Sequence, residues 1–514
     1  MDEIESGLRV AARAFLAAAW PRLREHHVVP PPLHHPYIRV GRDYTGDIIM
    51  GLREHAVLEA AVAAAHERFA PAAPAGQRHF PGGYIFSFLE TFVARLSQAG
   101  EAFTVDGGSA TQSIDDMVSA VRAESFEIAC CRAVSYMTTV DRQPVDFAGV
   151  RVEPTASGPN RVQRGLYTII SDVIPYASSA YSRVTPGGFG SPQCVIVARD
   201  AGPRPFDLHE PLSNRIERFL LLVRLLKPGT SESMFEVQGG THSVREFSPT
   251  LVQFRGAGPS LMSPTQLATR VITLDQKDSP RVDGLERLLA SAQREQPGML
   301  FTSFGMAMHK FLLSFHAHAW HEQIVDLATA FEATMSGTAK DDVTLRLRMR
   351  AATLLATERD PTGKIFADVG LIYGIRSMLV HGGAIKTKDL LKIVRKVSTV
   401  PGDARDGEAT AYLVERLRDL VRRSLLARIC LAAGSAPLWT LDNDAGVDTV
   451  MVDDTLRTAW REHWRSTLAA IDAEAAGDRP LYFPGRPSVL DHDDDRAPLV
   501  TFTQAAARER TQHP

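Results

Sequence analysis

Hydrophobic and polar positions follow different periods in the two halves of this chain, and the change between them divides it. From residue 285 the apolar positions keep a helical period almost without interruption. They predict helices over 285–295, 302–335, 341–357, 364–381, 386–397, 411–432 and 454–475, with a loop over 439–447. Before residue 290 the pattern is mixed. Leu8, Ala11, Ala12, Phe15, Leu16 and Ala19 line one face of a helix over 3–25, which Pro21 or the prolines at 30–32 interrupt. Further helices are predicted over 47–69, 86–96, 114–137 and 214–226, with a Pro/Ala/Gly linker at 71–76. Alternating and β-branched residues predict strands over 145–152, 195–198, 235–237 and 250–254, with Gly239 and Gly240 separating the last two. The expected architecture is multidomain: a mixed α/β N-terminal region over 1–290, an all-α bundle over 291–476 and a C-terminal tail over 477–514. Pro480, Pro484, Pro487, Pro498 and the acidic Asp491, Asp493, Asp494 and Asp495 mark that tail as a mobile extension.

Within the helical half, the segment Leu371 to Gly383, LIYGIRSMLVHGG, is distinctive. Leu371, Ile372, Ile375 and Leu379 make a buried stripe at helical spacing. Gly382 and Gly383 can adopt the left-handed conformation that stops a helix, which places His381 in or beside the last turn. There the free carbonyls and the negative dipole end favour an imidazolium. Arg376 is permanently charged, and beside a histidine that titrates near neutrality it suits chemistry on a phosphodiester. Spacing alone is not specific, because Arg22/His27, Arg204/His209 and Arg508/His513 repeat it. Five residues of straight helix also leave the two side chains about 140° apart, so they do not face each other within one regular helix. Either the last turn opens, or both groups meet a ligand together with their copies from a second subunit. That geometry favours a dimeric composite site. The purely structural alternative has Arg376 paired with a carboxylate such as Glu332 and His381 serving as a helix cap.

Three phrases in order tie the segment from about Phe301 to Leu431 to a known group. Val325, Asp326 and Leu327 with Ala330, Phe331, Glu332 and Ala333 form the first. Arg350, Ala352, Leu354 and Leu355 form the second, and Ile372, Tyr373, Arg376, Ser377, Leu379, Val380, His381, Gly382 and Gly383 form the third. Together they resemble an Apea-like HEPN domain, a helical domain of the wider HEPN group of prokaryotic RNases and nucleotide-binding modules. The resemblance implies an all-α HEPN-type bundle in which Arg376 and His381 are catalytic, commonly as a composite site across a homodimer. It further implies metal-independent RNA cleavage through the 2′-hydroxyl, with no cofactor, in an antiphage-defence or toxin-like effector. Tyr373, Ser377, Glu332 and Arg350 are the expected substrate-binding or supporting residues, the last two through ion pairs that orient the motif helix.

Composition narrows the partners. The 514 residues exceed one core, and a net charge of −3 argues against a protein that coats nucleic acid nonspecifically, so RNA contact is expected to be local. Four cysteines without a CxxC pair fit a reducing compartment, and the acidic start Met-Asp-Glu-Ile-Glu is unlike a signal peptide. The longest apolar run, Phe219 to Leu226, is too short to span a membrane and contains Arg224, so a cytoplasmic location is expected. His309, His316, His318 and His321 cluster without a carboxylate or cysteine that completes a metal pattern, and no metal site is expected. Arg346, Arg348 and Arg350 offer either a basic RNA-facing strip or a solvated face. The leading expectation is therefore a HEPN endoribonuclease whose N-terminal region senses an unknown trigger. The rival is a noncatalytic HEPN module that dimerises or holds RNA or a nucleotide.

Overall fold

The computed structural model of the chain describes residues 3–26, 49, 51–69, 84–85, 88–89, 92, 104, 107–122, 126–155, 193–202, 205–227, 229, 231–240, 244–245, 268–269, 272–293, 302–317, 319–336, 342–381, 386–441, 443–474 and 500–501. It is mostly helical, with a small antiparallel sheet in the N-terminal half and a helical C-terminal region. Two compact units divide it, each discontinuous in sequence. Residues 1–133, 149–216 and 234–253 form the first, and 134–148, 217–233 and 254–514 form the second. Among the described residues no helix is long and apolar enough to cross a membrane.

The chain opens with α1 (Glu3–His26), α2 (Arg53–Phe69) and α3 (Gly108–Arg122), which pack on one another. The predicted face of α1 is buried from Leu8 to Ala19. Pro21 sits inside α1 rather than ending it, since a proline there removes a single backbone donor. Strands β1 (Phe126–Ser135), β2 (Met137–Thr139), β3 (Val145–Phe147), β4 (Val150–Pro154) and β5 (Cys194–Gly202) follow, then α4 (Pro205–Leu226), β6 (Glu232–Gly240) and β7 (Val244–Arg245). The helix expected over 114–137 is thus half strand. Ile128, Ala129, Cys130, Cys131, Ala133 and Val134 are all buried, so both faces of β1 are apolar and the period-2 signal disappears. Gly239 and Gly240 are the last residues of β6, and Gly239 pairs with Val244 of β7. The strand expected over 250–254 and most of the helix over 86–96 lie outside the described residues.

The first unit's strands are ordered β4-β5-β1-β6-β7, with β4 and β5 antiparallel in the register Val150 to Ala198 and Val152 to Ile196. A buried ion pair ties β1 to β6: Arg132 Nε donates to Glu236 Oε2 at 2.9 Å, and Ser213 Oγ donates to the same oxygen at 3.1 Å. All four cysteines are free and buried. Burial pushes the Cys131 thiol up to about 12, which keeps it protonated and unreactive.

In the second unit β8 (Ala268–Thr269) and β9 (Ile272–Leu274) precede nine helices among the described residues: α5 (Asp278–Gln293), α6 (Ser303–Leu313), α7 (Trp320–Met335), α8 (Val343–Leu355), α9 (Thr362–Val380), α10 (Thr387–Val394), α11 (Asp406–Ala432), α12 (Val447–Val452) and α13 (Asp454–Glu474). The single helix expected over 302–335 is two. No glycine or proline marks the break. Instead the Ser314 hydroxyl donates to the Phe311 carbonyl at 2.7 Å, and Phe315 turns into the core between the guanidiniums of Arg224 and Arg418, 4.3 and 4.7 Å from its ring centroid.

The centre of this unit is α11, buried on every side, with α5, α6, α7, α8, α9, α10 and α13 packed against it. Its buried arginines are balanced chiefly by carboxylates. Arg416 meets Asp360 at 2.8 and 2.9 Å and Asp368 at 2.9 Å, while Arg423 meets Asp360 at 2.6 Å and Arg422 meets Asp419 at 2.6 Å. Of the C-terminal tail, Val500–Thr501 forms β10 and pairs antiparallel with β8, so that part of the expected mobile extension is tied down. Its prolines and acidic run lie outside the described residues.

Candidate active site

Helix α9 carries the Arg/His motif. Pro361, extended at φ −70°, precedes its first turn, and His381 closes it, with the His381 N–H donating to the Ser377 carbonyl at 3.1 Å. Gly382 and Gly383, expected to stop the helix, lie outside the described residues. The buried stripe differs from the expected one. It consists of Ile365, Asp368, Val369, Ile372 and Ile375, while Leu371 and Leu379 are only half-buried and Val380 is 47% exposed. The last turn of α9 therefore rises off the core, and the motif opens toward solvent.

Asp368 is the anchor of this helix. Its Oδ1 accepts the Ser398 N–H at 2.8 Å, and its Oδ2 accepts the Ser398 hydroxyl at 2.6 Å and Arg416 Nε at 2.9 Å. Sequence reasoning missed it, although a carboxylate inside an apolar stripe is a readable sign of a buried charge needing a partner.

Further along α9, three expected residues meet. The Tyr373 hydroxyl donates to Glu332 Oε2 of α7 at 2.5 Å. Arg376 Nη2 lies 3.9 Å from the same oxygen, and the guanidinium carbon stands 5.5 Å from the Tyr373 ring centroid. Burial, and then the hydrogen bond to Glu332, push the Tyr373 phenol far above its ordinary range, so Tyr373 remains a donor at any physiological pH. Arg376 is half-buried, and its Nε is enclosed without a hydrogen-bond partner. Ser377 is half-buried one residue on, and its carbonyl is used by His381. The His381 side chain is exposed, and among the described residues no hydrogen bond joins it to Arg376. The structure thus groups Arg376, Tyr373 and Glu332 and leaves His381 apart on the same helix end, as the helical angle requires.

Arg350 stands elsewhere. It is 2% exposed, donates from Nε to Asp448 at 2.7 Å and from Nη1 to the Met335 carbonyl at 2.7 Å, and lies 5.9 Å from the Trp439 ring centroid. It secures the end of α7, the helix that presents Glu332, rather than reaching α9. The other arginines of α8 are engaged as well. Arg346 shares Asp448 at 3.3 Å, and Arg348 donates to the Phe366 carbonyl while stacking 3.9 Å over its ring. No free basic strip runs along α8. His309, His316 and His321 are exposed, His318 lies outside the described residues, and no cluster able to hold a metal occurs among the described residues.

Chemically, the α7/α9 end offers a guanidinium with donors to spare, a protonated phenol and an open imidazole. A carboxylate orients the first two. No family model, curated protein or solved structure matches the chain.

Proposed function

We propose that the second unit is a HEPN-type, metal-independent endoribonuclease acting as an antiphage-defence or toxin-like effector, with the N-terminal region responding to a trigger. In this reading His381 takes the proton of a ribose 2′-hydroxyl, and the freed oxygen attacks the adjacent phosphorus. Arg376 binds the nonbridging oxygens and stabilises the charge of the pentacoordinate transition state. A second proton transfer releases the 5′-oxygen as a hydroxyl and leaves a 2′,3′-cyclic phosphate. DNA lacks the nucleophile and is not cut. Because Arg376 and His381 point away from each other along one helix, the complete site is assembled in a homodimer.

The observation that carries the reading is the state of Arg376. Its nearest carboxylate stands at 3.9 Å, beyond hydrogen-bond reach, whereas Arg416 holds Asp360 at 2.8 Å and Asp368 at 2.9 Å and Arg423 holds Asp360 at 2.6 Å. A phosphate is the ligand such a guanidinium lacks. The test is incubation of wild type and His381→Ala with total RNA in EDTA, followed by analysis of fragment ends. Cyclic phosphate ends from wild type alone are expected. Equal cleavage by both proteins, or ends of another chemistry, would refute the mechanism.

A further inference from the structure

Arginines of the second unit are generally matched by acids. Arg281, Arg350, Arg416, Arg422, Arg423 and Arg428 each meet an aspartate within 3.3 Å. Arg461 and Arg465, one turn apart on α13, break this pattern, since neither forms an ion pair among the described residues. Both donate from Nη2 to the Ala356 carbonyl just beyond α8, Arg461 at 3.1 Å. Arg423, fully buried behind them, donates to the neighbouring Leu355 carbonyl at 3.0 Å.

Three guanidiniums therefore converge on two carbonyls. The end of a helix supplies roughly half a negative charge, and Asp360 is already divided between Arg416 and Arg423. Burial, then the positive charges of Arg461 and Arg423, lower the hold of Arg465 on its proton, and the charge of Glu462 opposes them only in part. Arg461 Nε is enclosed with no hydrogen-bond partner. Both side chains remain half-exposed, so an anion can reach them from solvent.

We propose that Arg461 and Arg465 form a phosphate-binding site at the C-terminal end of α8. Two guanidinium forks present more donors than one carboxylate has oxygens to accept, while the three or four oxygens of a phosphate accept from both. The site is distinct from the Arg376 centre. Six residues, 356–361, join α8 to α9, and Arg376 lies fourteen residues beyond Thr362, about 21 Å along the helix. The phosphate belongs either to an RNA backbone or to a free polyphosphate, and the two are separated by experiment.

The test uses the full chain carrying His381→Ala, compared with the same chain carrying Arg461→Gln and Arg465→Gln; each amide keeps one donor for Ala356. Thermal unfolding is followed with and without tripolyphosphate, and a labelled single-stranded RNA is titrated by fluorescence anisotropy across a salt series. Tripolyphosphate is expected to raise the melting temperature of the parent and of an Arg376→Gln control, and to raise that of the double variant clearly less, by no more than the Arg376 centre can contribute. If RNA is the ligand, the double variant binds it several-fold more weakly, and the slope of log K against log salt falls by about 1.4, roughly 0.7 per lost contact. A tripolyphosphate response without an RNA response assigns the site to a free phosphate compound. Should the double variant lose its fold, Arg465→Lys keeps the charge and loses the fork, and must weaken tripolyphosphate at an unchanged ligand-free melting temperature. Indifference of both probes to substitutions that leave the fold intact overturns the proposal and leaves the two arginines as caps of α8. None of these readouts measures cleavage, so the outcome is independent of the nuclease reading.

Discussion

Asp360 is the residue whose loss should cost this protein most for the smallest change in shape. It is fully buried; Oδ1 accepts Arg416 Nη2 at 2.9 Å, and Oδ2 accepts Arg416 Nη1 at 2.8 Å and Arg423 Nη2 at 2.6 Å. Asp360→Asn preserves volume but removes the charge and one acceptor, and turns an amide NH2 toward guanidinium donors. Breaking a buried charge pair costs about 3–5 kcal/mol. The lower end applies, because Arg416 keeps Asp368 at 2.9 Å and Arg423 keeps Asp419 at 3.0 Å. A loss of about 3 kcal/mol lowers the melting temperature of a unit this size by about 6–12 °C. Tryptophan fluorescence reports it, since Trp320, Trp439, Trp460 and Trp464 belong to the second unit and only Trp20 to the first. Asp448→Asn serves as the control. Asp448 is half-exposed and buried Arg350 keeps the Met335 carbonyl at 2.7 Å, so its loss should cost about 1–2 kcal/mol, less than that of Asp360. Adding Arg423→Met to Asp360→Asn removes one stranded charge and should recover part of the deficit. A melting temperature for Asp360→Asn within 2 °C of wild type (about 0.5–1 kcal/mol), or one no lower than that of Asp448→Asn, refutes the account of the network.

Other outcomes follow from packing and charge. At Gly284 of α5 an added Cβ would stand 2.7 Å from Ile471 Cγ2 of α13, so Gly284→Ala should destabilise by about 1–3 kcal/mol, and Ile471→Ala should relieve it in a double-mutant cycle on thermal unfolding. Burial raises the Asp419 pKa, but Arg423 and Arg422 outweigh it and hold it below the usual carboxylate range. The stability it contributes is therefore present above its unfolded value near 4 and lost as pH falls through the lower folded value; acid titration of Asp419→Asn should show a shallower loss below about pH 4. Asp278 has the opposite sign. Burial raises its pKa despite Lys227, so its contribution is lost as pH rises through the folded value, and Asp278→Asn should flatten that slope. In hydrogen exchange, the amides of 377–381 should open faster than those of 369–375, because the last turn of α9 is the half-exposed one; equal protection along the helix would contradict this.

What the sequence makes legible depends on one-sidedness. The buried face of α1 is readable from Leu8 to Ala19 because its large apolar residues Leu8, Phe15 and Leu16 fall on one side at helical spacing. Over 126–135 and along α11 both faces are buried, and there the period that distinguishes strand from helix is erased. The break between α6 and α7 is hidden for a different reason, as it rests on one serine hydroxyl and one phenylalanine held between arginines from remote segments. The same holds for the site. Tyr373, Arg376 and Ser377 are visible because polar residues interrupt an apolar helix, while Glu332, two helices earlier, stands out only through the resemblance of its phrase to a family pattern. Asp368 and Asp360 find Arg416 and Arg423 across 48 to 63 residues, a pairing that no local spacing reveals.

That pairing explains how one helix can be both fixed and responsive. The first half of α9 is held by Asp368, with Ser398 and Arg416 as partners, and by Ile365, Val369, Ile372 and Ile375 in the core. Beyond Ile375 the restraints weaken to a single 3.9 Å charge contact, a phenol and carboxylate at its side, and an exposed cap. Opening the last turn thus breaks little of the core, while tilting the whole helix would strand a buried carboxylate at several kcal/mol. Under the proposed function, this leaves Arg376 and His381 free to turn toward a phosphate or a second copy of the chain while the rest of α9 stays in place. If Arg376 and His381 act together as proposed, their separation of about 140° would defeat them on a rigid helix; on a helix anchored at one end only, the same spacing is compatible with assembly on demand.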